Sequence, residues 1–238
     1  EQWGPVCRAA VQRPVCSRYN VLVDTGRTSC GGSEGQEGSN MQNPPRKGDV
    51  RPCFVPRKGF LFCSTDADTI ELRAHAQNCY EMLGWSKMRD ALIDQHEHGG
   101  PDLHLRLGAA IMGIDPMEAL RRYNDGDKEV ENARQFGKIP NFGFPGGLGA
   151  ATFVSYAASN DQKLAPTFEE AFERAKKLRE IWFQTWPENR EYFQRVNELV
   201  EIGNGTITQL MSKRIRGGVS FTAAANGFFQ SRVADAMK

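Results

Sequence analysis

Three groups of residues in this sequence are of types, and at spacings, that can do chemistry. The first is Asp66 and Asp68, in the stretch FLFCSTDADTIELR that runs from Phe60 to Arg73. Carboxylates gathered where an apolar run ends offer oxygen ligands to a hard divalent cation. Mg²⁺ takes such ligands and keeps waters or substrate phosphates in its shell. A solvated turn is the alternative reading of the same pair. The second group is Arg134, Lys138 and Phe142. At about 100° per residue these fall within about 80° of one another on a helix, so they share a face. Two cations there can take phosphates and balance charge as pyrophosphate leaves, while an aromatic ring stacks on a sugar or base. A snorkelling basic face is the plainer reading. The third group is DQHEHGGPDLH, residues 94–104, with His96, His98 and His104. It has no fourth ligand at a suitable spacing, so it reads as a polar, Gly-containing surface loop rather than a zinc site.

The elements that must position these groups follow from the pattern. Phe60, Leu61, Phe62 and Cys63 form a short apolar run that predicts a buried strand. A helix is expected from Glu71 to Met88, with Glu71 in the first turn, where the helix dipole favours a carboxylate. Upstream, 15–23 alternates loosely and predicts a strand. The Gly-, Ser-, Asn- and Pro-rich 24–46 predicts a loop. Asp115 and Pro116 open a short helix as N-cap and first residue, which breaks at 124–127. The next helix spans about 128–144. Pro140 removes one of its hydrogen bonds, and it should end early near Pro145. Thr167 to Trp186 is the clearest amphipathic helix. Thr167 and Glu170 make a capping box, and Phe168, Ala171, Phe172, Ala175, Leu178 and Trp182 make one apolar stripe. Pro187 ends it, and a second helix covers 188–201. A turn at GNGT (203–206) and a basic loop with Lys213, Arg214 and Arg216 precede a last helix from Thr222 to Lys238.

With 238 residues the chain can bury a real core in one or two domains. Its net charge of +1 names no partner, although the first sixty residues carry more Lys and Arg than Asp and Glu. The six cysteines, Cys7, Cys16, Cys30, Cys53, Cys63 and Cys79, form no CxxC pair and read as reduced thiols. There is neither a long apolar run nor a signal-peptide pattern at the start. No membrane partner is expected.

Several blocks, matching the family's order along the chain, resemble family A DNA polymerases. Asp66, Ile70, Glu71, Leu72 and Arg73 match the family's first palm motif in register. TGRTS followed by SNMQNPPR resembles its duplex-contacting block, Asp102-Leu103-His104 its Asp-x-His at the start of a fingers helix, and RQFGKIPNFG its RxxxKxxxFG fingers motif. Asn226 and Gln230, followed by Ala234-Asp235, resemble the segment that approaches the primer terminus. The resemblance runs from about Val15 to Lys238. It implies an α/β (α+β), mainly helical fold: a right-hand polymerase palm with a helical fingers subdomain, truncated. Residues 1–80 would be palm and thumb base, 81–208 fingers, and 209–238 a palm helix region cut before the second metal motif.

By the same resemblance, Asp66 is a catalytic Mg²⁺ ligand. Glu71 sits under the incoming sugar and excludes a 2′-hydroxyl. His104, Arg134 and Lys138 take the triphosphate, and Phe142 stacks on the nucleotide. Arg27, Asn40, Gln42, Asn43, Asn226 and Gln230 contact primer–template DNA. Arg and amide donors suit the minor groove, whose acceptors recur at equivalent places for every base pair. The substrates are deoxynucleoside triphosphates, joined by two-metal phosphoryl transfer. The expected compartment is the cytoplasm, that of a bacterial host if the chain is phage-encoded.

Several departures qualify the match. The template-stacking Tyr expected four residues after Phe142 is Gly146, leaving that role to Phe144 or to a residue from elsewhere. Cys30 replaces a Ser, Gly31 to Gly38 is an insertion, and Thr222 replaces an Arg. The usual Gly-Thr after Gln230 is Ser231-Arg232. No His-Asp-Glu tripeptide, the family's second metal motif, occurs. The chain, which lacks an initial Met, therefore reads as a polymerase fragment inactive alone, with the remainder of the polymerase as a further partner. The alternatives are a non-catalytic primer–template-binding half of a split polymerase, and a single-subunit RNA polymerase relative.

Overall fold

A computed structural model of the chain describes residues 17–21, 23–31, 40–45 and 50–237. The predicted strand over 15–23, the Gly31 to Gly38 insertion, Cys7, Cys16 and Lys238 fall wholly or partly outside these residues. Contacts divide the chain into two compact units, Glu1–Asp68 and Thr69–Lys238.

In the first unit, β1 (Arg18–Asn20) pairs antiparallel with β2 (Ser29–Gly31), with Tyr19 opposite Cys30. A turn closes between them through Gly26 N–H to Val23 O at 2.7 Å. A short 3₁₀ turn, Arg51–Cys53, follows. The apolar run expected as a buried strand is not one. Phe60, Leu61 and Phe62 lie in irregular chain and are exposed, Leu61 by 93%. An apolar run becomes a buried strand only where a neighbouring strand takes its backbone bonds and another element covers its face. Among the described residues, nothing pairs with it.

The second unit is mainly helical: α1 (Ile70–Leu83), α2 (Lys87–His98), α3 (Leu103–Met112), α4 (Pro116–Asn124), α5 (Lys128–Gly143), α6 (Ala150–Ser159), α7 (Phe168–Thr185), α8 (Glu188–Ile202) and α9 (Phe221–Ala236). A two-stranded β3–β4 pair, Ile207–Thr208 with Ile215–Arg216, precedes α9. The helix expected from Glu71 to Met88 stops at Gly84, which sits at φ 85° and whose N–H bonds Tyr80 O. That left-handed C-cap is a conformation Gly adopts without a Cβ penalty. Ser86 then caps α2, accepting from Arg89 N–H. His96 and His98 therefore stand in the last turn of a helix, not in a loop. The helices at 128–143, 168–185 and 188–202 form where the pattern placed them. Thr167 accepts from Glu170 N–H as an N-cap. Phe168 leaves its predicted stripe: it is 62% exposed, stacked on Phe172 at the surface.

The largest core joins Leu72 and Ala76 of α1, Met88 and Leu92 of α2, Leu103 and Leu107 of α3, Phe153 of α6 and Trp182 of α7, with Phe144 and Trp186. A second core, around Cys79, Tyr192, Val196, Ile207, Ala225 and Phe228, joins α1, α8, β3 and α9. Two buried polar links tie the helices together. His75 Nε2 meets Asn189 Oδ1 at 2.6 Å, with the ring edge-on to Tyr192 and Phe229. Glu188 Oε1 accepts from Ser86 Oγ at 3.0 Å and from Met88 N–H at 2.7 Å, fastening α8 to the start of α2. No helix among the described residues is long and apolar enough to cross a membrane.

Candidate nucleotide-binding site

The second unit brings His104, Arg134, Lys138 and Phe142 together because two helices approach unusually closely. A Cβ on Gly137 of α5 would stand 2.6 Å from His104 O, and one on Gly108 of α3 would stand 2.9 Å from Ala133 backbone atoms. Only glycine fits at either contact, so α3 and α5 touch backbone to backbone. Asp102 links them a second time. One of its carboxylate oxygens caps α3, accepting from His104 N–H at 2.8 Å and Leu105 N–H at 3.0 Å. The other accepts from Arg134 Nε at 2.7 Å. Burial alone would push the Asp102 carboxyl up. The Arg134 and Leu105 N–H bonds, with the nearby positive charge, bring it below its ordinary value instead. The anchored Arg134 guanidinium also lies 5.4 Å from the centre of the Tyr123 ring. Arg134 and Lys138 are half-buried and Phe142 is exposed.

His104 is buried beneath Phe142, the two rings 5.3 Å apart and tilted. On its other side Asn141 fills the interior. Its Nδ2 reaches Leu103 O at 3.1 Å and His104 Nδ1 at 3.2 Å. Its Oδ1 accepts from Trp182 Nε1 at 3.2 Å and Trp186 Nε1 at 3.1 Å.

Beyond Phe142, successive residues of α5 and the following 3₁₀ turn, Phe144–Gly146, meet Tyr156 of α6 and the candidate Asn226 of α9. Gly143 faces Tyr156 of α6, whose ring atoms lie 3.0 and 3.1 Å from where a Cβ would stand. Burial first, and then the charge of Glu71, push the Tyr156 hydroxyl above its ordinary value, which makes Glu71 and Tyr156 electrostatic neighbours. At Gly146 a Cβ would meet Asn226 Oδ1 at 3.0 Å. The side chain of the α9 residue fills the space that any larger residue at 146 needs. Gln230, one turn on from Asn226, is half-buried. Phe144 is not available as a stacking residue. It is fully buried, stacked on Phe153 at 4.2 Å and tilted against Trp182.

The basic loop before α9 braces that helix. Arg214 pairs with Asp235, and Arg216 donates to Ala223 O at 3.3 Å. Arg232, where the family resemblance has Thr, donates through Nε to Asn78 Oδ1 at 2.6 Å and through Nη2 to Glu81, locking α9 onto α1.

Arg27, Asn40, Gln42, Asn43 and Asp66 belong to the first unit. Its two polar blocks fold against each other: Gln42 Nε2 donates to Thr28 Oγ1 at 2.5 Å, and Met41 N–H to Cys30 Sγ at 3.3 Å. Arg27, Asn40, Gln42 and Asn43 are not buried there, and Asn40 Oδ1 accepts from Gln42 N–H at 3.1 Å. Asp66 is exposed. Among the described residues, no group of three or more His, Cys, Asp or Glu converges to hold a metal ion.

Two of these features escaped the sequence. Tyr156 stands in an Ala-rich segment, ATFVSYAAS, whose helix carries no charge to mark a face. Asn141 stood out only as a motif residue, because its partners are separated from it by 41 and 45 positions. Gly84 and Ser86, as C-cap and N-cap, were the available signal for the boundary of α2.

No family model matches the chain. Over 182 residues, 74% of its length, it is 27% identical to the DNA polymerase I of Deinococcus radiodurans. The match covers 16% of that protein, so the chain corresponds to a small part of its length. The similarity points to a distant relationship with DNA polymerase I.

Proposed function

We propose that this chain is the palm-and-fingers segment of a template-directed DNA polymerase, and that the α3–α5 face of its helical unit binds the incoming deoxynucleoside triphosphate. One observation carries the reading. The end of α5 adjoins two of the residues that the polymerase motifs single out in this unit, His104 beneath Phe142 and Asn226 against Gly146, while Tyr156, whose hydroxyl feels the charge of Glu71, lies against Gly143. In this reading Arg134 and Lys138 take the phosphates. Arg134 does so as a guanidinium already oriented by Asp102, which lowers the entropy lost on binding. Phe142 covers the sugar or base. Glu71 excludes a 2′-hydroxyl, and Tyr156, not Phe144, is its aromatic neighbour where Gly146 replaces the usual Tyr. Arg27, Asn40, Gln42, Asn43, Asn226 and Gln230 hold the primer–template duplex.

Mg²⁺ would supply charge neutralisation at the transferring phosphate. Asp66 and Asp68 have the oxygen donors the ion prefers, but they do not make a site by themselves. A further carboxylate, the role of the missing His-Asp-Glu motif, must come from other polypeptide. The chain alone is then inactive.

The test is extension of a labelled primer–template with Mg²⁺ and four deoxynucleoside triphosphates, by the chain alone and with a palm polypeptide carrying that motif. Extension only in the second case, abolished by Asp66→Ala, is expected. Extension by the chain alone would refute the incomplete metal site. Duplex binding with no extension in either case would point to a binding module instead.

A further inference from the structure

We infer that Asn141 is a positioning residue that sets the tautomer of His104, placing the imidazole proton on Nε2, and that Trp182 and Trp186 in turn set Asn141. A Trp Nε1–H can only donate. Both indoles reach the same Asn141 atom, at 3.2 and 3.1 Å. That atom has to be the amide oxygen, since an amide nitrogen there would oppose two donors with a third. The orientation of the amide follows, and its nitrogen faces Leu103 O at 3.1 Å and His104 Nδ1 at 3.2 Å. An amide nitrogen also only donates. Nδ1 of His104 must then be the acceptor, and a neutral imidazole that accepts at Nδ1 carries its proton at Nε2.

The network is complete: two donors are used at Nδ2 and two lone pairs at Oδ1. The amide is shielded from water, because Asn141, Trp182 and Trp186 are buried around it. Buried polar groups that are fully paired hold one arrangement. The tautomer is thus dictated by two tryptophans at the far end of α7, one helix away from the ring they control.

The chemical use of this rests on the nucleotide-site reading. A phosphate oxygen is an acceptor. A histidine that serves it must present N–H, and the opposite tautomer would present a lone pair. Asn141 holds the imidazole in the donating form before any ligand arrives, so binding does not have to pay for a tautomer change.

Long-range ¹H–¹⁵N correlation spectra of the ¹⁵N-histidine-labelled chain report which ring nitrogen carries the proton, with His104 assigned by its loss in His104→Gln. The expected result is Nε2–H in the wild type. In Asn141→Asp the carboxylate can only accept, so the proton should move to Nδ1. A wild-type His104 protonated at Nδ1, or a folded Asn141→Asp in which Nδ1 stays unprotonated, would overturn the inference. Should that variant fail to fold, seen as loss of the Trp182 and Trp186 indole resonances, the wild-type spectrum alone still decides. Added inorganic triphosphate separates the two claims. A shift of the His104 Nε2 resonance supports the phosphate role. An Nε2–H ring that triphosphate leaves unmoved sustains the tautomer inference and sinks the nucleotide reading.

Discussion

At the scale of single residues, burial decides the behaviour of the ionisable groups. His75 is fully enclosed by α1, α8 and α9, and this lowers its pKa from 6.5 to about 4, against the opposing effect of the Asn189 bond. The unfolded chain therefore takes up the proton first as pH falls. The stability that depends on a neutral His75 is complete above pH 6.5 and is lost between 6.5 and about 4. Full loss corresponds to about 3 kcal/mol, at roughly 1.4 kcal/mol per unit. Urea unfolding across this range should show that slope in the wild type and a flatter one in His75→Gln. Glu188 makes a complementary case. Burial raises its carboxyl although Met88 N–H and Ser86 Oγ donate to it. Glu188→Gln keeps an acceptor for both donors and removes the charge, so it should leave stability near neutral pH within about 1 kcal/mol of wild type. Glu188→Ala strands the donors and should cost about 1–3 kcal/mol in the same unfolding measurement.

At the scale of elements, the site depends on the α3–α5 contact. A Cβ at Gly137 has no room against His104 O, so Gly137→Ala must separate the helices or bend one. The expected cost is about 1–3 kcal/mol by thermal or urea unfolding. Triphosphate binding should weaken as well, because Arg134 and His104 sit on opposite sides of that contact. Much of this layer was legible in the sequence. Asp115 and Thr167 announced helix starts, Asp102 did so only through the family resemblance, and all three accept from backbone N–H groups as N-caps. The four-residue spacing of Arg134, Lys138 and Phe142 gave their common face. What could not be read was long-range. Phe60 to Phe62 has the composition of a buried strand, but burial depends on partners that periodicity does not reveal. The charge of Glu71 reaches Tyr156 from a helix far away in the chain, and Asn226 beside Gly146 explains a glycine that looked like a missing tyrosine. The boundary between α1 and α2 was within reach, since Gly84 and Ser86 are ordinary stop and start residues.

At the scale of the whole molecule, the residues proposed for catalysis are divided. The helical unit holds the nucleotide candidates and Asn226, while Asp66 and the first four duplex candidates belong to the other unit. The proposed division of labour is that the helical unit binds the triphosphate even without DNA, and that polymerisation needs both units together with further polypeptide. The central claim, a triphosphate site on α5, can be tested on the chain as it stands. Calorimetric titration with a deoxynucleoside triphosphate should show saturable binding to the wild type. Lys138→Ala should weaken it about tenfold or more, the loss of a charge-assisted phosphate contact worth roughly 1.5–3 kcal/mol. Arg134→Ala should do at least as much. No measurable binding, or equal affinity in wild type and both variants, would contradict the account.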